Sequence, residues 1–352
     1  MYLNRLFRLF SNFFDPSFQL SMSALTQTMP GIPNYGGALR IHSSPVPEVT
    51  KPGAKETIRG IISETLRRCD MTYPTEVEKC KGFQVECMEE AVRRGYSMQG
   101  TNAILKVLIP PGAEAAFLFY PHLRDSHHEL LVLIGLYFAL LFYLDDVFDH
   151  NYTAISEFND RFVTNRPQRA KVLDHFATLI LEMSYFYSGA SANLVVSGSL
   201  NFVTGTLVEH ETKTATLNPY AQGFPAFLKT LVSANMVLCV FAFPPSTPVK
   251  DYIQALPEMV IFTNNFSDVL SFYKEDLEGE NFNRISHLAR SRGASKLEVL
   301  RTLSEETSCA YERIIHILSA CPAGPQTTKD FFYGALAIHA SASRYRFKEL
   351  GF

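Results

Sequence analysis

Between Leu130 and Asp149 the chain reads LLVLIGLYFALLFYL and then DDVFD. A run of fifteen residues without a charge, Leu130 to Leu144, ends on three carboxylates within five positions. The run is too long for an ordinary strand and reads as a helix buried on all sides. It falls short of the roughly 18 or more apolar residues expected of a membrane span. Asp145, Asp146 and Asp149 then stand at the negative end of a helix dipole, where anions are disfavoured and repel one another. Divalent cations remove that cost. Positions i and i+4 share a helix face, so Asp145 and Asp149 point the same way. Oxygen-only ligands suit Mg²⁺ better than zinc. A solvated acidic helix end would carry the same residues, and this stretch alone leaves both readings open.

The composition narrows the classes. An apolar fraction of 47% in 352 residues supports a large core, rich in Phe and Tyr and without Trp. The net charge of −3, without a basic run or zinc-finger spacing, gives nucleic-acid binding little support. Six cysteines (Cys69, Cys80, Cys87, Cys239, Cys309 and Cys321) form no CxxC pair, which fits reduced thiols in a cytoplasmic protein. The sequons at Asn151 and Asn265 are discounted, the second because it falls in an expected buried helix.

Around this stretch the pattern is helical. The N-terminal MYLNRLFRLFSNFF, with Arg5 and Arg8, reads as a short amphipathic segment or a frayed extension. Pro, Gly and Ser throughout residues 20–53 mark a flexible lead-in. A flexible extension over 1–53 and one domain over 54–352 follow from this. KETIRGIISETLRRC spaces its apolar residues at three and four, and a second helix is expected from Thr75, capped by a Thr75-x-x-Glu78 box, to Arg94. A third, from Ala103 to Ile109, is stopped by Pro110-Pro111-Gly112. Further helical periodicity covers 168–188, 191–212, 224–242, 248–276, 295–319 and 326–349. No alternating strand or internal repeat stands out, so the expected fold class is all-α, a single domain of about ten helices. His127-His128, and His210 between Glu209 and Glu211, lack ligand-spaced partners and read as surface or capping residues. Gly189-Ala-Ser191-Ala-Asn193 lacks the strand and final Gly of a nucleophile elbow.

A second polar cluster runs from Asn264 to Glu275, NNFSDVLSFYKE. Ser267, Ser271 and Glu275 fall at i, i+4 and i+8 on one helix stripe, and a long Glu can lean back toward the two hydroxyls. That set suits an Mg²⁺ completed by a phosphorylated substrate. Lys274 adds a cation at the same end. A polar face touching water is the plainer alternative. Near the C-terminus, Arg344-Tyr345-Arg346 offers an arginine fork and a phenol that can grip phosphate oxygens, though such pairs are common on helix surfaces.

Taken together, a DDxxD, an (N/D)DxxSxxxE-type motif about 120 residues later and an RY pair about 70 further on resemble a class I terpene synthase. SDVLSFYKE and RYR are most similar to the trichodiene synthase type of fungal sesquiterpene cyclase. The resemblance covers roughly residues 55–349. It implies a helical bundle around a central active-site cavity, with two metal motifs facing across its mouth and three Mg²⁺ ions. It implies Asp145, with Asp149, at the first motif, and Ser267, Ser271 and Glu275 at the second. Lys274, Arg344 and Tyr345 would bind diphosphate, and Lys229, in FPAFLKTLVSAN, stands where an arginine sensor is expected. The implied reaction is Mg²⁺-dependent cyclisation of farnesyl diphosphate to a sesquiterpene, by a monomer or homodimer without a stable membrane span.

This sequence departs from that pattern at Ser267, which replaces Asn or Asp, and at Lys229, which loses the bidentate fork. Asn264, one turn back, is a candidate to compensate for Ser267. These departures motivate an alternative, a catalytically impaired helical protein that binds isoprenoid diphosphates. A chain-elongating prenyltransferase fits less well, because it would need a second aspartate-rich motif. Tyr137, Phe138, Phe142, Phe241 and Phe262 are candidate rings for holding a carbocation, since ring faces attract a desolvated cation by about 2 kcal/mol or more.

Overall fold

A computed structural model describes residues 47–98, 104–146, 148–215, 218, 220–281, 283–322 and 324–352, without the side chains of Asp146, Asp149 and His150. The N-terminal amphipathic segment and the lead-in up to residue 46 lie outside the described residues. The main helices are α1 (Ala54–Arg68), α2 (Lys81–Arg93), α3 (Leu105–Phe119), α4 (His128–Asp146), α5 (Lys171–Glu182) and α6 (Gly189–Thr212). They continue as α7 (Phe224–Val232), α8 (Asn235–Phe241), α9 (Leu256–Leu277), α10 (Arg284–Arg292), α11 (Lys296–Ile317) and α12 (Gly324–Ser341). Short helical segments fill the connections, among them Phe148–Ser156 and Phe158–Val163. Among the described residues there is no strand.

α4 is the axis. Every side chain from Leu130 to Leu144 is buried, as its unbroken apolar run requires. By length and composition it also reaches a membrane span, but most of it is enclosed by the bundle. Its one glycine explains how tightly α3 lies alongside. A Cβ on Gly112 of α3 would stand 2.6 Å from the Gly135 carbonyl and 2.7 Å from the Ala139 nitrogen, and one on Gly135 would meet Ala113. Two backbones pack face to face there.

That seam overrides the expected stop at Pro110-Pro111-Gly112. The two prolines remove the intrahelical bonds to the Lys106 and Val107 carbonyls, yet α3 runs through them to Phe119. Pro111, Gly112, Ala113, Ala115 and Ala116 are all buried. Packing outweighs the two lost hydrogen bonds.

The second helix begins at Lys81 rather than Thr75. From Thr75 to Lys79 only Val77 is even partly buried, so nothing holds a turn there. Glu78, the expected capping partner, accepts instead from Arg124 at 2.9 Å. Residues ahead of 54 also make contact with the bundle. Val49 is buried and its N–H donates to Asp276 at 2.9 Å, while the Asp276 carboxylate also holds Lys296 at 2.7 Å.

The stretch 224–242 forms two helices, bent by 54° at Ser233-Ala234. Gly205 of α6 makes room for the bend, since a Cβ there would stand 2.4 Å from the Leu231 carbonyl. Ser233 then turns extended, and Asn235 ties the start of α8 to Asn264 of α9 at 2.8 Å. Likewise the stretch 326–349 breaks after Ser341 into a tight turn at Ser343–Tyr345, followed by Arg346 in the left-handed region.

Gly112→Val would drive a branched side chain into the α4 backbone. We expect unfolding at a substantially lower urea midpoint, by about 1–3 kcal/mol or more, whereas Gly60→Ala, which meets open space, should leave the midpoint unchanged or raise it.

Candidate active site

The C-terminal ends of α4 and α9, the α7–α8 bend, α6 and the end of α12 surround one cavity. Its space open to water centres is about 140 Å³, an order of magnitude above the 10–15 Å³ that one water needs.

α4 brings Asp145, which is 8% exposed, to the wall. The helix ends one residue later, and the Asp149 side chain lies outside the described residues. α9 brings Ser267, Ser271 and Glu275 to the same wall, as their spacing of four requires. Glu275 is buried and held in place by Asn283, whose Nδ2 donates to it at 2.9 Å. Asn283 is itself fixed as the N-cap of α10 through Ser286 at 2.7 Å. Asn264 does not reach the cavity wall, because its side chain accepts from Asn235.

Asp268, beside Ser267, also reaches the wall and joins two cations. Lys229 donates to its Oδ1 at 2.9 Å, and Arg284 lies 3.1 Å from its Oδ2. Arg284 also donates to Asn265 at 2.6 Å. Lys229 therefore stands at the cavity, as its place in the sequence suggested, but as half of a part-buried ion pair. Lys274 stands apart from the wall. It is 1% exposed, with its ammonium 3.6 Å from both Glu278 and Glu280. Burial, and then the charge of Arg344, lower its pKa.

The turn after α12 buries Arg344, 8% exposed, and Tyr345 completely, where the sequence left a surface pair open. Both line the cavity, with the guanidinium 5.1 Å from the Tyr345 ring centre. Arg344 Nε and Nη1 and the Tyr345 hydroxyl have no hydrogen-bond partner among the described residues. Burial lowers the Arg344 pKa and raises that of Tyr345. In the last turn of α12, His339 lines the same space, with its Nδ1 2.7 Å from the Ala335 carbonyl.

Much of the remaining wall is apolar: Phe119, Phe138, Leu141, Leu238, Phe266 and Phe331. Phe119 stacks on Phe138 at 5.7 Å and meets Phe331 at 5.1 Å. Of the five rings proposed from sequence, Phe138 alone is on this wall. Tyr137 turns to Ser199 at 2.9 Å, Phe142 packs behind Phe138, Phe241 packs against Tyr137, and Phe262 packs on Phe332. Phe119 was hidden by the expected helix stop. Glu209 was missed as well: it is buried on the same wall, at i+3 from the wall residue Thr206. Its neighbour His210 is half-buried against Phe148 and Tyr152.

Among the described residues, no three His, Cys, Asp or Glu side chains gather closely enough to hold an ion by themselves. The wall does supply oxygen donors alone for a hard cation, from Asp145, Glu209, Ser267, Ser271 and Glu275. Beside them the unfilled Arg344 and Tyr345 donors fit an oxyanion.

The family model of trichodiene synthase (TRI5) matches residues 114–351. The chain belongs to that family. Alpha-cuprenene synthase COP6 of Coprinopsis cinerea is 31% identical, over 84% of this chain and 90% of its own. Terpene synthase BipA of Cochliobolus sativus is 28% identical, over 81% and 88%. The crystal structure of linalool/nerolidol synthase from Streptomyces clavuligerus superposes with a TM-score of 0.53 at 15% identity, covering 79% of this chain and 98% of that one. This trichodiene synthase family member is thus a terpene synthase, with the all-α fold of class I.

Asp268→Ala would take from the part-buried Lys229 and Arg284 the carboxylate they share. We expect a loss of about 1–3 kcal/mol in urea unfolding, against a few tenths for Ser267→Ala next to it.

Proposed function

We propose that this terpene synthase ionises farnesyl diphosphate and cyclises the cation to a sesquiterpene with release of diphosphate, using Mg²⁺. The observation that supports it most is the pairing in one cavity of unfilled cationic and phenolic donors with an aromatic floor. Arg344 and Tyr345 would bind the diphosphate oxygens, and Lys229 would join them by exchanging part of its pairing with Asp268. Lys274, behind the wall, would add positive potential. Asp145, with Asp149 of the same motif, and Ser267, Ser271 and Glu275 would hold the metal, and Glu209 of the same wall would add a carboxylate. Bound there, Mg²⁺ would offset the charge that builds on the leaving group.

The protein's own part is positioning and exclusion. Donors held in place by the fold need little reorganisation as the C–O bond breaks. Phe119, Phe138, Phe266 and Phe331 keep water from the cation and offer it ring faces. Substrate length rests on relatives named as alpha-cuprenene synthase and (E)-beta farnesene synthase. A relative from Postia placenta is named monoterpene synthase 25, 31% identical over 66% of this chain, so a ten-carbon substrate is the second reading.

Incubation with farnesyl diphosphate and Mg²⁺, followed by gas chromatography–mass spectrometry, should give a C15 product that EDTA abolishes. Geranyl diphosphate should give much less. Asp145→Ala and Glu275→Ala should each lower turnover by about a hundredfold or more. Full turnover in either variant would contradict the proposal, and product from geranyl diphosphate alone would transfer it to the shorter substrate.

A further inference from the structure

His339 has a feature that leaving-group binding does not use. It is 6% exposed on the cavity wall, its ring centre 4.5 Å from that of Tyr345. Its Nδ1 lies 2.7 Å from the Ala335 carbonyl. A carbonyl only accepts, so the ring proton sits on Nδ1 and Nε2 carries a lone pair. Nε2 is buried and has no hydrogen-bond partner among the described residues. Burial lowers the ring's pKa to about 4, with Arg344 and Lys229 acting in the same direction and Glu275 against it. The imidazole is therefore neutral at neutral pH.

A lone acceptor does not suit the diphosphate, whose oxygens are acceptors as well. It suits a group that gives up a proton. The wall's other charged side chains are of different kinds: Asp145, Glu209, Asp268 and Glu275 are anions placed for cations, while Lys229 and Arg344 are donors, and its hydroxyls and the Asn235 amide are far weaker bases than an imidazole. A hydrocarbon cation beside such a lone pair has C–H bonds adjacent to its empty orbital, and these are strongly acidic.

We propose that His339 Nε2 is the base that ends the reaction. It takes a proton from the carbon next to the final cationic centre. The electron pair of that C–H bond becomes the new C=C bond, the proton becomes the Nε2–H of an imidazolium, and the imidazolium passes it to the departing diphosphate. The inference rests on the terpene synthase function proposed above and narrows it: the main product is an olefin, formed by proton loss rather than by water capture.

The test compares wild type with His339→Ala and His339→Phe, the latter keeping a ring without the lone pair. Products are quantified by gas chromatography–mass spectrometry per mole of diphosphate released. We expect the wild-type olefin to fall about tenfold or more on this scale in both variants, replaced by other alkenes or by an alcohol. Imidazole added to His339→Ala should restore the wild-type olefin, whereas pyrrole, of the same size but without the basic lone pair, should not. An unchanged product set, equal rescue by pyrrole, or loss of diphosphate release in both variants would overturn the proposal. Those outcomes concern His339 alone, because wild type would still be active. A wild-type protein that converts no allylic diphosphate would overturn the function as well.

Discussion

A buried guanidinium with two of its nitrogens unbonded is the most demanding feature of this molecule. Arg344 Nε and Nη1, and the Tyr345 hydroxyl beside them, are out of water without a protein partner. Each unfilled buried polar group costs about 1–3 kcal/mol, more where it is charged. A fold keeps such groups only where the surrounding structure over-determines them. Here a left-handed Arg346 and the tight turn before it aim the pair inward. The partner that fits comes from outside the chain.

The rest of the bundle provides what that arrangement lacks. α3 and α4 pack backbone to backbone through Gly112 and Gly135, giving a rigid axis that ends in Asp145. α9 is anchored at Asp268 by Lys229 and Arg284, and at Asp276 by Lys296 and the Val49 N–H. These pairs lie on either side of Ser271 and Glu275, so the second motif is held above and below. A site built on helices fixed in this way keeps its donors in place without substrate, which is what charge stabilisation without reorganisation requires. The chemistry depends on a cavity that the protein does not satisfy by itself.

Much of this was legible in the sequence because it rests on periodicity and spacing. The buried α4, the carboxylate at its end and the Ser267, Ser271, Glu275 stripe are local patterns, and the structure reproduces them. What was not legible depends on tertiary contact. Pro110-Pro111-Gly112 reads as a stop until α4 is packed against it. Thr75-x-x-Glu78 reads as a cap until Arg124 takes Glu78. Whether an aromatic faces a cavity or a neighbouring helix is decided by what packs against it: Phe138 and Phe142 are one turn apart on the same face of α4, yet only the first reaches the wall. Glu209 carried a faint signal, a carboxylate one turn from Thr206 in a helical stretch, masked by the histidine beside it. Arg344 and Tyr345 were legible as a phosphate-gripping pair, but their burial was not, because nothing local announces the turn that encloses them.

The most direct measurement is calorimetric titration of inorganic diphosphate, in the presence of Mg²⁺, into wild type and Tyr345→Phe, together with their thermal unfolding. If the buried hydroxyl is kept for an incoming oxyanion, the variant should unfold at the same temperature or higher. It should bind diphosphate more weakly, by about 0.5–1.5 kcal/mol, the net worth of one hydrogen bond. Unaltered affinity with a lowered unfolding temperature would contradict the account, because the hydroxyl would then serve the fold rather than the ligand.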